Sequence, residues 1–142
     1  MPYASTTEIQ IAVGGASKLL ELFDWDNDGV ADAAVLAQLQ VEVDSWIDSY
    51  AGRRFSVPIA SPAQVLVLHA AEEVVYRARL KRGMVSEEAT QGHADRVKWL
   101  EGLARGHVVP GDPIPAKSST VRSAWVSRDD NDISREKLKG GW

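Results

Sequence analysis

Between Asp32 and Gly52 the apolar side chains Val35, Leu36, Leu39, Val43, Trp46, Ile47 and Tyr50 recur at three- and four-residue intervals. A half-buried strand needs strict alternation, so this spacing dictates an amphipathic helix of about five turns. Asp32 is a preferred N-cap residue, and Gly52 followed by Pro58 stops the helix. The opposite face carries Gln38, Gln40, Glu42, Asp44 and Asp48. Arg53 and Arg54 follow, where cations suit the negative end of the helix dipole.

Three further helical segments flank this one, and no alternating run competes with them. The first opens near Ser5, with Ser5 and Glu8 in capping-box spacing, and carries Ile9, Ala12, Ala16, Leu19, Leu20 and Phe23 along one stripe. Gly14 and Gly15 weaken its middle by about 1 kcal/mol each relative to alanine, so a kink or a close backbone approach is expected there. The third places Ser61 at the cap and Pro62 at the first helical position. Val65, Leu66, Val67, Leu68, Ala70, Ala71, Val74 and Val75 cover most of its circumference, which predicts a central helix packed on several sides. The fourth starts at Ser86, with Glu87 and Glu88 in its first turn, and runs through Val97, Leu100, Leu103 and Ala104 to Gly106. The fold class expected is therefore all-α, a four-helix body with an extended C-terminal arm.

After Gly106 the character changes. Pro110, Gly111, Pro113 and Pro115 forbid a helix and favour an extended path. Residues 1–106 are read as the helical body and residues 107–142 as a Pro-rich link and arm. The arm's apolar residues, among them Val121, Trp125, Val126, Leu138 and Trp142, are too scattered for a core of their own. Two tryptophans are costly to leave in water, so the arm is expected to order on another surface, with Val121 to Val126 able to add a strand to a sheet edge.

Charge narrows the function classes. Residues 1–60 hold three basic and nine acidic side chains, net −6, while residues 61–106 and 107–142 are each +1, giving −4 overall. A sequence-independent DNA binder needs many basic phosphate contacts, and this chain does not supply them as a whole. There is no cysteine among the 142 residues, which excludes disulfide scaffolds, thiolate zinc sites and cysteine nucleophiles. No secretory signal is read at the start of the chain, and the longest uncharged stretch, Phe55 to Ala71, is broken by Pro58 and Pro62. A soluble protein without membrane partners is expected.

One stretch resembles a ligand motif. Asp24, Asp26, Asp28 and Asp32 fall at loop positions 1, 3, 5 and 9 of a calcium EF-hand, with Gly29 at position 6. Position 12, where a bidentate glutamate belongs, is Val35. The bland reading is a polar interhelical turn in which Gly29 permits positive φ and Asp32 caps the next helix. Calcium is therefore a candidate cofactor at most, and none is otherwise expected.

His69, His93 and His107 show no metal spacing with one another; His69 reads as a hydrogen-bonded core histidine. No nucleophile elbow, phosphate loop or dinucleotide fingerprint is present. Glu72–Glu73 and Glu87–Glu88 read as solvated helix positions, so no enzyme is expected. The run Arg77, Arg79, Lys81 and Arg82 can touch phosphate, yet the same residues are what a helix C-terminus prefers.

The order of features resembles the Mu-like family of phage head-tail joining proteins. Met1-Pro2-Tyr3-Ala4 enters a helix, an Asp-x-Asp-x-Asp-Gly turn follows at Asp24, and Val35 to Tyr50 leads into Tyr50-Ala51-Gly52-Arg53-Arg54-Phe55-Ser56-Val57-Pro58-Ile59. Ser134 to Trp142 is similar to the short arm on which phage members end. The resemblance implies a non-enzymatic virion protein, made in the host cytoplasm and placed at the head-tail interface. It implies a homo-oligomeric ring, twelvefold, below the portal protein and against a tail or neck completion protein. Double-stranded DNA would pass through without sequence-specific binding. The arm residues Val121, Trp125, Val126, Arg135, Leu138 and Trp142 would dock on the portal or a neighbour, and the acidic face of Glu42, Asp44 and Asp48 would line the channel. The Pro-rich link, Pro110 to Pro115, departs from the family pattern. Two other readings compete: a calcium-responsive helical module built on Asp24 to Asp32, and a small DNA-binding regulator built on Arg77 to Arg82.

Overall fold

The computed structural model describes residues 1–108 and Pro110, and all its regular elements are helices. The docking-arm candidates Val121, Trp125, Val126, Arg135, Leu138 and Trp142 lie outside the described residues.

Ser5 closes a full capping box: its Oγ accepts from the Glu8 amide, and its own amide donates to Glu8 Oε2 at 2.6 Å. This starts α1, Thr6–Val13. Gly14 and Gly15 then take φ of 106° and 123°, values that side-chain-bearing residues rarely adopt. The helix therefore breaks here instead of kinking, and α2 runs separately over Ala16–Phe23. The expected first helix is thus two, and the body has five.

The long helix α3 spans Ala33–Ala51. Asp32 holds its N-cap position, but the side chain makes no cap bond. Its Oδ2 accepts instead from the Trp25 amide at 2.9 Å, so the carboxylate closes the preceding loop. Helix α4, Gln64–Lys81, begins later than expected, with Ala63 and not Ser61 as its N-cap. The Ala63 amide, which no carbonyl of the helix can take at this end, donates to the distant Pro110 carbonyl at 2.6 Å. Helix α5, Glu87–Arg105, starts as read, with Ser86 Oγ accepting from the Ala89 amide. It ends on Gly106 in the left-handed region, where a Cβ would lie 2.5 Å from Arg54 Nε. Glycine there both terminates α5 and lets the 53–55 turn pack against it.

Helix α4 touches all four other helices, and α3 packs against α5 as well. The core lies where they converge: Ile9, Phe23, Leu39, Val43, Ile47, Leu66, Val74, Leu100 and Leu103 are almost wholly buried. Each such aliphatic or aromatic side chain contributes about 1.5–3 kcal/mol by leaving water. The centrality of α4 is as expected, but its packing is not complete. Val65 and Leu68, on the outer side of its first turns, are 41% and 48% exposed. Among the described residues no helix is long and apolar enough to cross a membrane.

Candidate functional site

The chemistry of the body concentrates on one seam between α4 and α5. Glu73, read from sequence as solvated, is fully buried. Its Oε1 accepts from Arg77 Nε at 3.1 Å, one turn along α4. Its Oε2 accepts from Arg96 Nε at 2.9 Å and lies 3.0 Å from His93 Nδ1, both on α5. The neighbouring Glu72 does stand at the surface and reaches Arg96 at 3.5 Å. A carboxylate in this setting is tolerable only because guanidinium groups meet both of its oxygens.

Aromatic rings finish the seam. His93 stacks between Tyr76, 4.6 Å away at 9°, and Trp46 of α3, 5.7 Å away at 20°. The Arg77 guanidinium sits 5.1 Å from the Trp46 ring centroid, a cation–π distance. The seam borders an open cleft of about 320 Å³ lined by Glu42, Tyr76, Arg77, Leu80, Lys81 and His93. Every charge along it is matched: Lys81 pairs with Glu42 at 3.3 Å and Arg77 with Glu73. Matched charges hold three helices in register, and they leave little field for capturing an ionic substrate.

The channel-lining candidates divide. Glu42 is engaged by Lys81, as above. Asp44 Oδ1 accepts from the Tyr3 amide at 3.2 Å, and Asp48 Oδ1 accepts from the Tyr3 hydroxyl at 2.5 Å. The same hydroxyl accepts from the Ile59 amide at 2.8 Å, so Tyr3 straps the N-terminal segment and the 55–59 loop to α3. Burial pushes the Tyr3 phenol well above its usual range, with the Asp48 carboxylate adding to the rise. Burial likewise raises the Asp44 carboxyl, against the opposing bond from the Tyr3 amide. Tyr3→Phe should cost about 1–2 kcal/mol in urea unfolding, because it strands the Ile59 amide and removes the bond to Asp48 while leaving the ring packed.

The acidic loop is a self-bonded turn. Asp24 accepts from the amides of Asp28 and Gly29 at 3.0 and 2.9 Å, and Asp28 Oδ1 accepts from Val30 at 2.9 Å. Partial loss of solvent opposes ionisation of Asp24, but these amides outweigh it and hold the carboxyl below its usual range. Asp26 is held above its own, first by desolvation and then by Asp28 and Asp32. Carboxylate oxygens of Asp24, Asp26 and Asp28 approach within 4.8 Å of one another, while Asp32 is turned to Trp25. Three monodentate oxygens without a carboxylate at Val35 do not make the six- to eight-oxygen cage that tight calcium binding needs. Calorimetric titration is expected to give no heat at micromolar calcium; a saturable micromolar isotherm would contradict this.

The basic run is spent on the body. Arg77 and Lys81 are paired as described, and Arg82 Nη1 donates to the carbonyls of Glu21 and Leu22 at 3.1 and 3.0 Å, closing the C-terminal end of α2. These bonds take three of its four cations away from phosphate recognition. His69, expected to be hydrogen-bonded, has a buried Nδ1 with no partner among the described residues, and its ring lies 4.8 Å from Trp99. Burial lowers its pKa.

Sequence reasoning missed Glu73, Arg96 and Tyr3. A signal for Glu73 was present: it shares a helix face with Leu66, Ala70 and Arg77, so an acid stands on a stripe that is otherwise apolar and ends in its own counter-ion.

Comparison with known proteins gives a consistent picture. A family model described as bacteriophage Mu, Gp36 matches residues 3–126. "Gene product J" of Escherichia phage Mu is 31% identical over 84 residues, covering 59% of this chain and 58% of the relative. "Mu-like prophage FluMu protein gp36" of Haemophilus influenzae is 27% identical over 95 residues, 66% of each chain. The matches thus span less than two thirds of either relative's length.

Proposed function

The chain belongs to the bacteriophage Mu Gp36 family, and from that premise we propose that it is a non-enzymatic virion subunit at the head-tail interface. In this reading it forms a closed cyclic ring, about twelvefold, below the portal. A tail or neck completion protein binds the other side, and double-stranded DNA passes through the centre.

The observation that carries the proposal is the extent of the family match. It runs to residue 126, past Pro110 where the described body ends, and so takes in the Pro-rich link together with Val121, Trp125 and Val126. A segment with buried-type side chains and no core of its own suits docking to a neighbour or to the portal. The charge-matched seam of α4 and α5 adds support, since it suits a rigid building block better than a reaction centre.

The passage is assigned to the acidic first sixty residues, net −6, where like charge keeps DNA from sticking. With Asp44 and Asp48 committed to Tyr3, and Glu42 to Lys81, this assignment rests on total charge more than on those three carboxylates. The test is imaging of whole particles carrying a tagged copy of the chain. Tag density in a closed ring between portal and tail is expected. Its appearance in the capsid shell or at the tail tip, or its absence from purified particles, would overturn the reading.

A further inference from the structure

We propose that the open strip along α4, Val65, Leu68, Glu72, Tyr76 and Arg79, is the seat for an amphipathic helix of another protein, one that brings a free carboxylate to Arg79. The inference goes beyond the ring reading and does not need it.

Arg79 is the cation of the basic run that the body does not use. It makes no hydrogen bond or ion pair through its side chain among the described residues, whereas Arg77, Lys81 and Arg82 are all engaged. Yet it does not stand free in solvent. The residue is half-buried and lines two adjoining clefts, one of about 240 Å³ over α4 and one of about 110 Å³ at the corner of α1 and α2. Drawing a guanidinium partly out of water costs free energy unless an anion meets it. Glu88 lines the larger cleft and Glu21 the smaller, but neither is bonded to Arg79.

Shape selects a helix. Helices α1 and α5 both pack on α4 but do not touch each other, so one flank of α4 lies open between them. The five residues of that flank recur at intervals of three, four, four and three, the spacing of a seam against which a second helix lies. From Val65 to Arg79 the strip runs about 21 Å at the helical rise. Ala12 on one wall and Ala89 and Gly92 on the other are small, so another backbone can come close. Val65 and Leu68 at one end are 41% and 48% exposed, and Arg79 stands at the other. The strip therefore calls for apolar side chains at one end of the incoming helix and an acid at the other, which fixes its direction.

The other described helices of this chain do not supply that pattern. Helices α2 and α5 have exposed acids but no exposed large apolar side chain. On α1 and α3, where Ile11 and Val41 are exposed, Glu8 is held by Ser5, Glu42 by Lys81, and Asp44 and Asp48 by Tyr3. Charge complementarity thus points away from the body of a second copy and to a different protein.

The test is Arg79→Glu in the full chain, introduced into a phage that depends on it. Circular dichroism and urea unfolding are expected to show a folded protein of parental helicity; an unfolded one would make Arg79 part of the body and overturn the proposal. Like charge across the contact should lower plaque yield at least about 100-fold, and Leu68→Asp at the apolar end should do the same. Undiminished yield with either variant would sink the idea. Suppressors of Arg79→Glu are expected in the gene of another virion protein, as an acid changed to lysine or arginine. Suppressors confined to this chain, true reversion included, would overturn the proposal. A base at Glu88 or Glu21 would assign Arg79 to an internal pair, and a base within residues 107–142 would mean that the arm of this chain or of a second copy covers the strip. The ring reading is judged by where a tagged copy sits, so either can fail alone.

Discussion

Glu73→Ala should lower folding stability by about 3–5 kcal/mol, the cost of breaking a buried ion pair from one side. Glu73 has no solvent contact, and the guanidinium it holds on Arg96 is itself only 8% exposed. Removing the carboxylate leaves the buried Arg96 cation with only the longer contact to Glu72 at 3.5 Å, and takes from Arg77 its one carboxylate partner. The loss should appear as a large fall in the urea midpoint with little change in slope. If the single variant does not fold, the double variant decides. Glu73→Leu with Arg96→Met replaces both partners by apolar groups of similar volume and should recover most of the loss. Equal damage from Glu73→Leu alone and from the pair would mean that the seam holds the helices by shape and not by charge matching.

That seam also marks the boundary of what could be read without coordinates. Helices α3 and α5 were legible because their information is local: apolar spacing, Ser86 at one start, glycine at both ends. The break at Gly14 and Gly15 was visible only as a weakness, since a local propensity cost does not say whether a helix bends or splits. Every larger surprise is a long-range bond. Glu73 finds Arg96 across 23 positions, Tyr3 finds Ile59 across 56, and the Ala63 amide at the start of α4 finds the distant Pro110 carbonyl. Asp32 has the right residue type for an N-cap, but the Trp25 amide competes for its single side chain and wins. The exposure of Val65 and Leu68 is not legible in the sequence for a related reason. An apolar run round a helix says that every face is suited to burial, not that this chain alone does the burying.

Deleting residues 117–142 should leave the helical body folded and abolish the joining of heads to tails. The described core runs from Tyr3 to Leu103, so the truncated chain retains every side chain of that cluster. Its helicity and unfolding midpoint should stay close to those of the full chain. The deletion also removes Trp125 and Trp142, and burying one large aromatic supplies about 2 kcal/mol before ordering costs. An interface that relies on a few such anchors loses most of its affinity with them. Trp142→Ala alone should be the milder case: a loss of about 1.4–2 kcal/mol weakens docking roughly 10- to 30-fold and slows joining without stopping it. Complementation of phage particles that lack the wild-type chain, scored as the fraction of heads bearing tails, separates the two. Normal joining with the truncated chain would refute the docking role of the arm. An unfolded truncation would show that the arm belongs to the body, and that its tryptophans are sheltered at home.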